Sequence, residues 1–322
     1  MSSAIHILSI IILTLSVFAC DRSPRTVQRG EVVNLYSNCL SATDRDLFVP
    51  FERTSGLKVN IISKPNYQVL NRIRALGEDS TNADILLLQG VAYLNQAKQA
   101  DMLDTLPNSS FIRAIPDYLQ DDAQRWLSLG YSTHVIAYLR DSVDSLQVRR
   151  YEQLTDERWK GKIAFPTENE DYFVSLLASL MADKSETSVQ DWWRGLQDFQ
   201  DSTPDSLRQL LLTNTSDYIV EPGWQLQFPQ PETYLQLTGV GLRRNAPHPG
   251  RAEALFNYLF SNSFMKQFAE RKRLFPSRQD VDIPSSLPGI NRFQVDSTSQ
   301  SRIARLTEKA RALITEETEA TP

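Results

Sequence analysis

Three carboxylates and a carboxamide fall on consecutive positions, Glu168, Asn169, Glu170 and Asp171, in the stretch "PTENEDYF" (166–173). A cluster this dense has two chemical uses. Acids in the first turn of a helix satisfy its unpaired N–H groups and favour its dipole. The same acids facing a cleft would select a cation, whether a metal, a polyamine or a cationic organic solute. A second stretch, "YSNCLS" (36–41), carries no acid, base or histidine. It offers Tyr36, Ser37 and Asn38 as neutral groups, and the amide of Asn38 can both donate and accept. Gln89 closes the apolar run "ADILLLQ", Tyr131 and Ser132 stand beside His134 in "GYSTHVIAY", and Glu221 and Trp224 bracket "EPGW". Asn38 and Ser41 can equally cap the helix that follows, and Trp224, placed on a loop, can pack as readily as it can wall a cleft.

All of these groups can hold a solute, and none is arranged to cleave one. The chain has no GxSxG elbow, no HExxH, no phosphate-binding P-loop and no Cys/His metal spacing. Paired acids on one turn are too common to assign acid–base roles. No catalytic residue, cofactor or resident metal is therefore expected. The 322 residues carry a net charge of -5, with a pI near 5.4. Nucleic-acid binding needs an excess of Lys and Arg to displace counterions, so that function class is excluded.

The elements that must position these side chains are legible as apolar runs. "VVNLY" (32–36), "LKVNII" (57–62) and "ADILLL" (83–88) read as buried strands, with helices around 44–54 and 67–78 between them. Pro50 predicts that the first of these helices is short or kinked, and Gly56 suits its exit. "HVIAYLR" (134–140) and "KGKIAFP" (160–166) read as further strands, and 172–181 and 189–199 as helices. A strand, a Pro-bounded turn and two amphipathic helices follow in 237–276. Strands alternating with helices imply an α/β fold with parallel sheets, which bind ligands at the carboxyl ends of their strands. A last helix, within 296–317, places Ile303, Leu306, Ala310 and Leu313 on one face.

The N-terminus is different in kind. "IHILSIIILTLSVFAC" is an apolar run of signal-peptide length that ends at Cys20. It resembles a bacterial lipoprotein processing site, at which Cys20 would carry lipid; a plain signal peptide or an uncleaved anchor is the other reading. Asp21 resembles an inner-membrane retention signal, which implies the periplasmic face of the inner membrane. Residues 21–30 are a polar tether, and loss of Cys20 to acylation leaves Cys39 without a disulfide partner.

"VVNLYSN", "FERTSGLKVNII", "NADILLL", "LTDERWKGKIAFP" and "GVGLRRNAPHPGRAEALFNYLFSNSFMKQFAER" together resemble the periplasmic solute-binding proteins of ABC transporters, specifically their iron(III)-binding group. The resemblance implies a type II fold of two α/β lobes, each a mostly parallel sheet flanked by helices, with the ligand in the cleft between them. The lobes would comprise 31–134 with 238–290 and 135–237 with 291–317, leaving 318–322 as a frayed tail. It also implies a monomer that delivers a small solute or cation to an ABC permease. A relative that no longer transports, acting as an envelope sensor or protein-interaction module, is the alternative.

The ligand set that the resemblance implies is not found. Where relatives continue after the first strand with Arg and His or Tyr, this chain has Cys39, Leu40 and Ser41. Gln89 stands where relatives place a carboxylate, and of their paired tyrosines only Tyr218 remains in "SDYIVEPGWQLQF". Ferric iron needs hard anionic oxygens, so a changed ligand is expected.

Overall fold

The computed structural model describes residues 31–64, 68, 70–71, 82–165, 170–200, 207–218, 221–287 and 293–320. The expected signal peptide and tether, with Cys20, most of the expected 67–78 helix, and Glu168 and Asn169 lie outside these residues, as do 321 and 322.

The apolar runs form strands as expected. β1 (Val32–Ser37) lies between β2 (Lys58–Ser63) and β3 (Ile85–Gln89), parallel to both. From β1 the chain turns through a 3-10 segment (Ala42–Phe48) into α1 (Val49–Ser55). Pro50 falls in the first turn of α1, where a missing N–H costs no hydrogen bond, so the expected interruption is the change from 3-10 to α geometry. Gly56 ends the helix in the left-handed region at φ 76°.

β4 (Leu127–Leu139) is the central element. The apolar run 134–140 is only its second half. The first half, "LSLGYST", mixes Ser, Gly and Thr and carries no apolar signal, yet it too is buried. That half pairs with β8 (Leu235–Leu242) and β9 (Phe275–Pro276), while the second half pairs with β6 (Leu210–Asn214) and β7 (Trp224–Gln227). β5 (Ile163–Ala164) completes the order β2-β1-β3-β8-β4-β6-β5. The α/β expectation holds; among the described strands the parallel pairs are β1–β2, β1–β3 and β5–β6. β4 and β8 cross between the two halves of the sheet in opposite directions, so each pairs antiparallel with its neighbours. Gly239 and Gly241 let α2 (Val91–Gln99) and the chain after it approach β8. A Cβ at these positions would lie 2.6 Å from Leu94 and 2.8 Å from Leu103.

The helices α3 (Glu170–Asp183), α4 (Glu186–Gln200), α5 (Pro249–Leu259) and α6 (Asn262–Lys272) match the expected positions. Trp126, Trp159, Trp192 and Trp193 are all buried as packing residues. The tail forms α7 (Gln300–Ala304) and α8 (Thr307–Ala320), running past 317. Ile303, Ala310 and Leu313 are buried and Leu306 half-buried. Asn95 on α2 donates to the Ala304 carbonyl at 3.1 Å, and Lys309 pairs with Glu186 of α4 at 2.8 Å. The tail therefore touches both halves. Among the described residues, no helix is long and apolar enough to cross a membrane.

Candidate functional site

The carboxyl ends of β1 and β3 meet at a closed polar corner. Asn38 Nδ2 donates to the Gln89 carbonyl at 2.9 Å, and the Gln89 N–H donates to Asn38 Oδ1 at 2.8 Å. The Ser37 hydroxyl is fully buried and accepts from the N–H groups of Cys39 and Leu40 at 3.1 and 3.2 Å, which shapes the turn. The Tyr36 hydroxyl, also buried, donates to Asn82 Oδ1 at 2.7 Å. Tyr36, Ser37 and Asn38 are thus held in the scaffold of this corner, while the carboxamide of Gln89 makes no hydrogen bond among the described residues. Burial pushes the Cys39 thiol up to about 11, which leaves it protonated and a poor metal ligand.

At the opposite, amino end of β3, the same strand pair is fixed by Asp84. Its buried carboxylate accepts from the Asn34 N–H at 2.8 Å, the His248 N–H at 2.9 Å and His248 Nδ1 at 3.1 Å. His248, expected in a turn, is the N-cap of α5.

The crossing segment of β4 is the floor between the halves. Tyr131 is buried against the Phe275 ring at 5.4 Å, and Ser132 is fully buried with no partner for its hydroxyl among the described residues. Thr133 Oγ1 and His134 Nδ1 also lack partners there. His134 Nε2 lies 3.0 Å from Ser175 Oγ, and burial pushes its pKa down to about 3, so the ring is neutral. Three successive residues thus carry orphaned polar atoms at the crossing.

Asp171, in the first turn of α3, accepts a hydrogen bond from the Tyr93 hydroxyl of α2, linking elements on the two sides of the floor. Burial and the Asp171 carboxylate both raise the Tyr93 pKa. Glu170 opens the same helix. Glu221 is exposed, and its carbonyl accepts from the Trp224 N–H at 3.0 Å. Trp224 is the first residue of β7 rather than a loop residue, because the Glu221–Trp224 turn returns the chain onto β4. It pairs with Leu139, five residues along β4 from His134 and so about 17 Å away. The structure therefore brings Asn38 to Gln89, and Tyr131 to Ser132, and sets Glu221 and Trp224 apart from both groups.

Sequence reasoning missed the side chains at the end of α6. Arg273, at φ 53°, donates to the Tyr218 carbonyl at 2.8 Å, and Lys272 pairs with the buried Asp44 at 2.7 Å. Read as a string, "AERKRLFP" is an ordinary basic helix end, and only the returning chain shows that it faces the 215–218 loop. Tyr218 is itself buried, which raises its phenol above the usual range and disfavours a phenolate. Among the described residues, no three Asp, Glu, His or Cys side chains converge to hold a metal ion.

Known proteins share this architecture. Iron uptake protein A1 of Synechocystis sp. is 25% identical over 317 residues, 88% of each chain. A Trichodesmium structure in complex with iron and citrate ligands is 26% identical with a TM-score of 0.78, covering 88% of this chain and 98% of that one. A ferric binding protein from Campylobacter jejuni, 21% identical, shares the fold at a TM-score of 0.79 with 88% and 98% coverage. The fold is the two-lobed type II periplasmic-binding-protein fold, which fits a floor of crossing strands between two α/β halves. The model of the bacterial extracellular solute-binding protein family matches residues 80–296, and this chain belongs to that family of solute-binding proteins, with its likeness in sequence and fold running to iron-binding relatives.

Proposed function

We propose that this protein is a lipid-anchored solute-binding component of an ABC importer, built on the iron-receptor plan but changed in ligand. The solute is a small polar or cationic molecule held between the lobes 31–134 with 238–290 and 135–237 with 291–317. The anchor is lipid at Cys20, on the periplasmic face of the inner membrane, and the monomer passes its solute to the permease. A receptor tethered this way meets its permease at high effective concentration.

One observation carries the changed ligand. The ends of β1 and β3 present two neutral carboxamides, that of Asn38 saturated by the Gln89 backbone and that of Gln89 unbonded among the described residues. Ferric iron is held by hard anionic oxygens that compensate its charge and lost hydration, and a carboxamide does neither. Support also comes from the crossing strand, where Ser132, Thr133 and His134 offer uncharged hydrogen-bonding atoms. Negative charge in the acidic stretch of Glu168, Glu170 and Asp171, of which Glu168 lies outside the described residues, would favour a cation.

The test is a thermal-shift screen of the soluble chain from Asp21 against ferric iron with bicarbonate or citrate, divalent metals, polyamines, amino acids and sugars. Binding to the folded state raises the melting temperature by mass action. Stabilisation by an organic solute is expected, and a large rise with ferric iron would overturn the changed ligand. For the anchor, Cys20→Ala is expected to move the protein from the membrane to the soluble fraction.

A further inference from the structure

A cavity of about 60 Å³ lies beside the strand crossing, apart from the Asn38–Gln89 corner. It is enclosed by the Tyr151 segment, the end of α3, the chain entering β8 and the chain leading to α7. Four carboxylates line it, Glu152, Asp183, Glu232 and Asp296, against one cation, Lys184. Lys184 is committed to one side, at 2.5 Å from Glu152 and 3.0 Å from Asp183. Glu232 and Asp296 have no such partner among the described residues.

Asp296 is 2% exposed. Its Oδ1 accepts from the Thr298 N–H at 2.8 Å, whereas its Oδ2 has no hydrogen-bond partner among the described residues. Such an orphaned carboxylate oxygen is costly unless a cation or a proton meets it. Glu232 accepts from Gln294 Nε2 at 3.1 Å, and its carboxyl is held above the usual carboxylate range by burial and then by the charge of Asp296. The two acids therefore act on one another within a closed space.

We infer that the Glu232–Asp296 pair is a binding site for a divalent, oxygen-coordinated cation of the calcium class. The volume is about that of two waters, enough for one ion with a residual water. The lining contains no Cys or His, which disfavours zinc and copper. Because no three carboxylates converge among the described residues, the pair needs neutral oxygens as well; Thr298 lines the same wall, as does Gln230, whose side-chain oxygen also accepts from Arg149. Calcium accepts such mixed, irregular oxygen sets, whereas magnesium demands a near-octahedral shell and retains its waters. The position has a consequence for the lobes. Tyr151, stacked on Tyr234 at 5.0 Å, donates its hydroxyl to the His134 carbonyl at 2.9 Å, so the cavity wall is joined directly to the crossing strand.

The experiment uses the soluble chain from Asp21, stripped with a chelator, in melting scans and calorimetry at neutral pH with CaCl2, MgCl2, KCl or spermidine. The expected result is a melting temperature raised by millimolar CaCl2 more than by the others. Glu232→Gln and Asp296→Asn should each weaken calcium binding by at least about tenfold. Glu232→Gln, at a half-buried position, keeps the test open if Asp296→Asn fails to fold. No calcium effect, calcium binding as strong in both variants as in the unaltered chain, or stabilisation by spermidine alone would overturn the site. So would a melting temperature that rises on mild acidification and ignores calcium, because the pair would then close over a proton. None of the residues lining the cavity is among those proposed above to hold the solute, so neither outcome depends on the identity of the transported solute.

Discussion

The corner where β1 meets β3 and the cavity beside the crossing are both polar, yet they handle polarity in opposite ways. At the corner Ser37 and Asn38, and at the opposite end of β3 Asp84, spend their polar atoms largely on backbone N–H and C=O groups. In the cavity, Asp296 keeps one oxygen unmet and Glu232 faces a like charge. Satisfied buried groups specify a shape, whereas unsatisfied ones mark a place where something is to be added. The crossing strand lies between these extremes, with His134 bonded at one nitrogen and orphaned at the other.

Substitutions that exploit this contrast should differ in sign as well as size. Asp84→Ala strips acceptors from Asn34 and His248 at once, and a loss of about 3–5 kcal/mol is expected from urea unfolding. A loss below about 1 kcal/mol would show that the saturated wall is dispensable. Asn38→Ala should cost about 1–3 kcal/mol, because the Gln89 N–H and C=O each lose a partner. If solute affinity fell while stability held, Asn38 would belong to the ligand rather than to the scaffold.

His134 gives a pH-dependent prediction. Its folded pKa lies near 3, against about 6.5 unfolded. As pH falls below the unfolded value, the unfolded chain takes up a proton that the folded chain refuses, so stability drops on acidification toward pH 3. The contribution reaches at most about 1.4 kcal/mol per pH unit. His134→Gln should flatten the stability profile between pH 6.5 and 4.5, and an unchanged slope would sink the assignment. The smallest effect is expected in the cavity. Without cation, Asp296→Asn removes a like-charge contact and should change stability by less than about 1 kcal/mol, in the stabilising direction.

Much of the architecture was legible in the sequence, and the reasons are local. Apolar runs gave β1, β2 and β3, periodic patterns gave α3 to α6, and Pro50 gave the broken helix. The first half of β4 was hidden because "LSLGYST" is polar by composition and buried by topology. α2 was also missed. The expected Trp224 loop proved to be a strand start, since only its pairing with Leu139 defines it. Contacts between distant positions were beyond reach for a plainer reason: Asp84 and His248 are 164 residues apart. Nothing in either segment announces the other. Glu232 and Asp296 read singly as surface acids, and only the chain returning after β9 brings them together.

β4 runs without interruption through both halves, its lower rungs bonded to β8 and its upper rungs to β6 and β7. A swing of one half against the other need not rupture any rung, since the rotation can be spread as extra twist over Ser132, Thr133 and His134. Such a joint behaves as a torsion spring rather than a latch, with a restoring force set by ribbon stiffness. Grip on a captured molecule would then be tuned by whatever stiffens that ribbon, even from outside the groove.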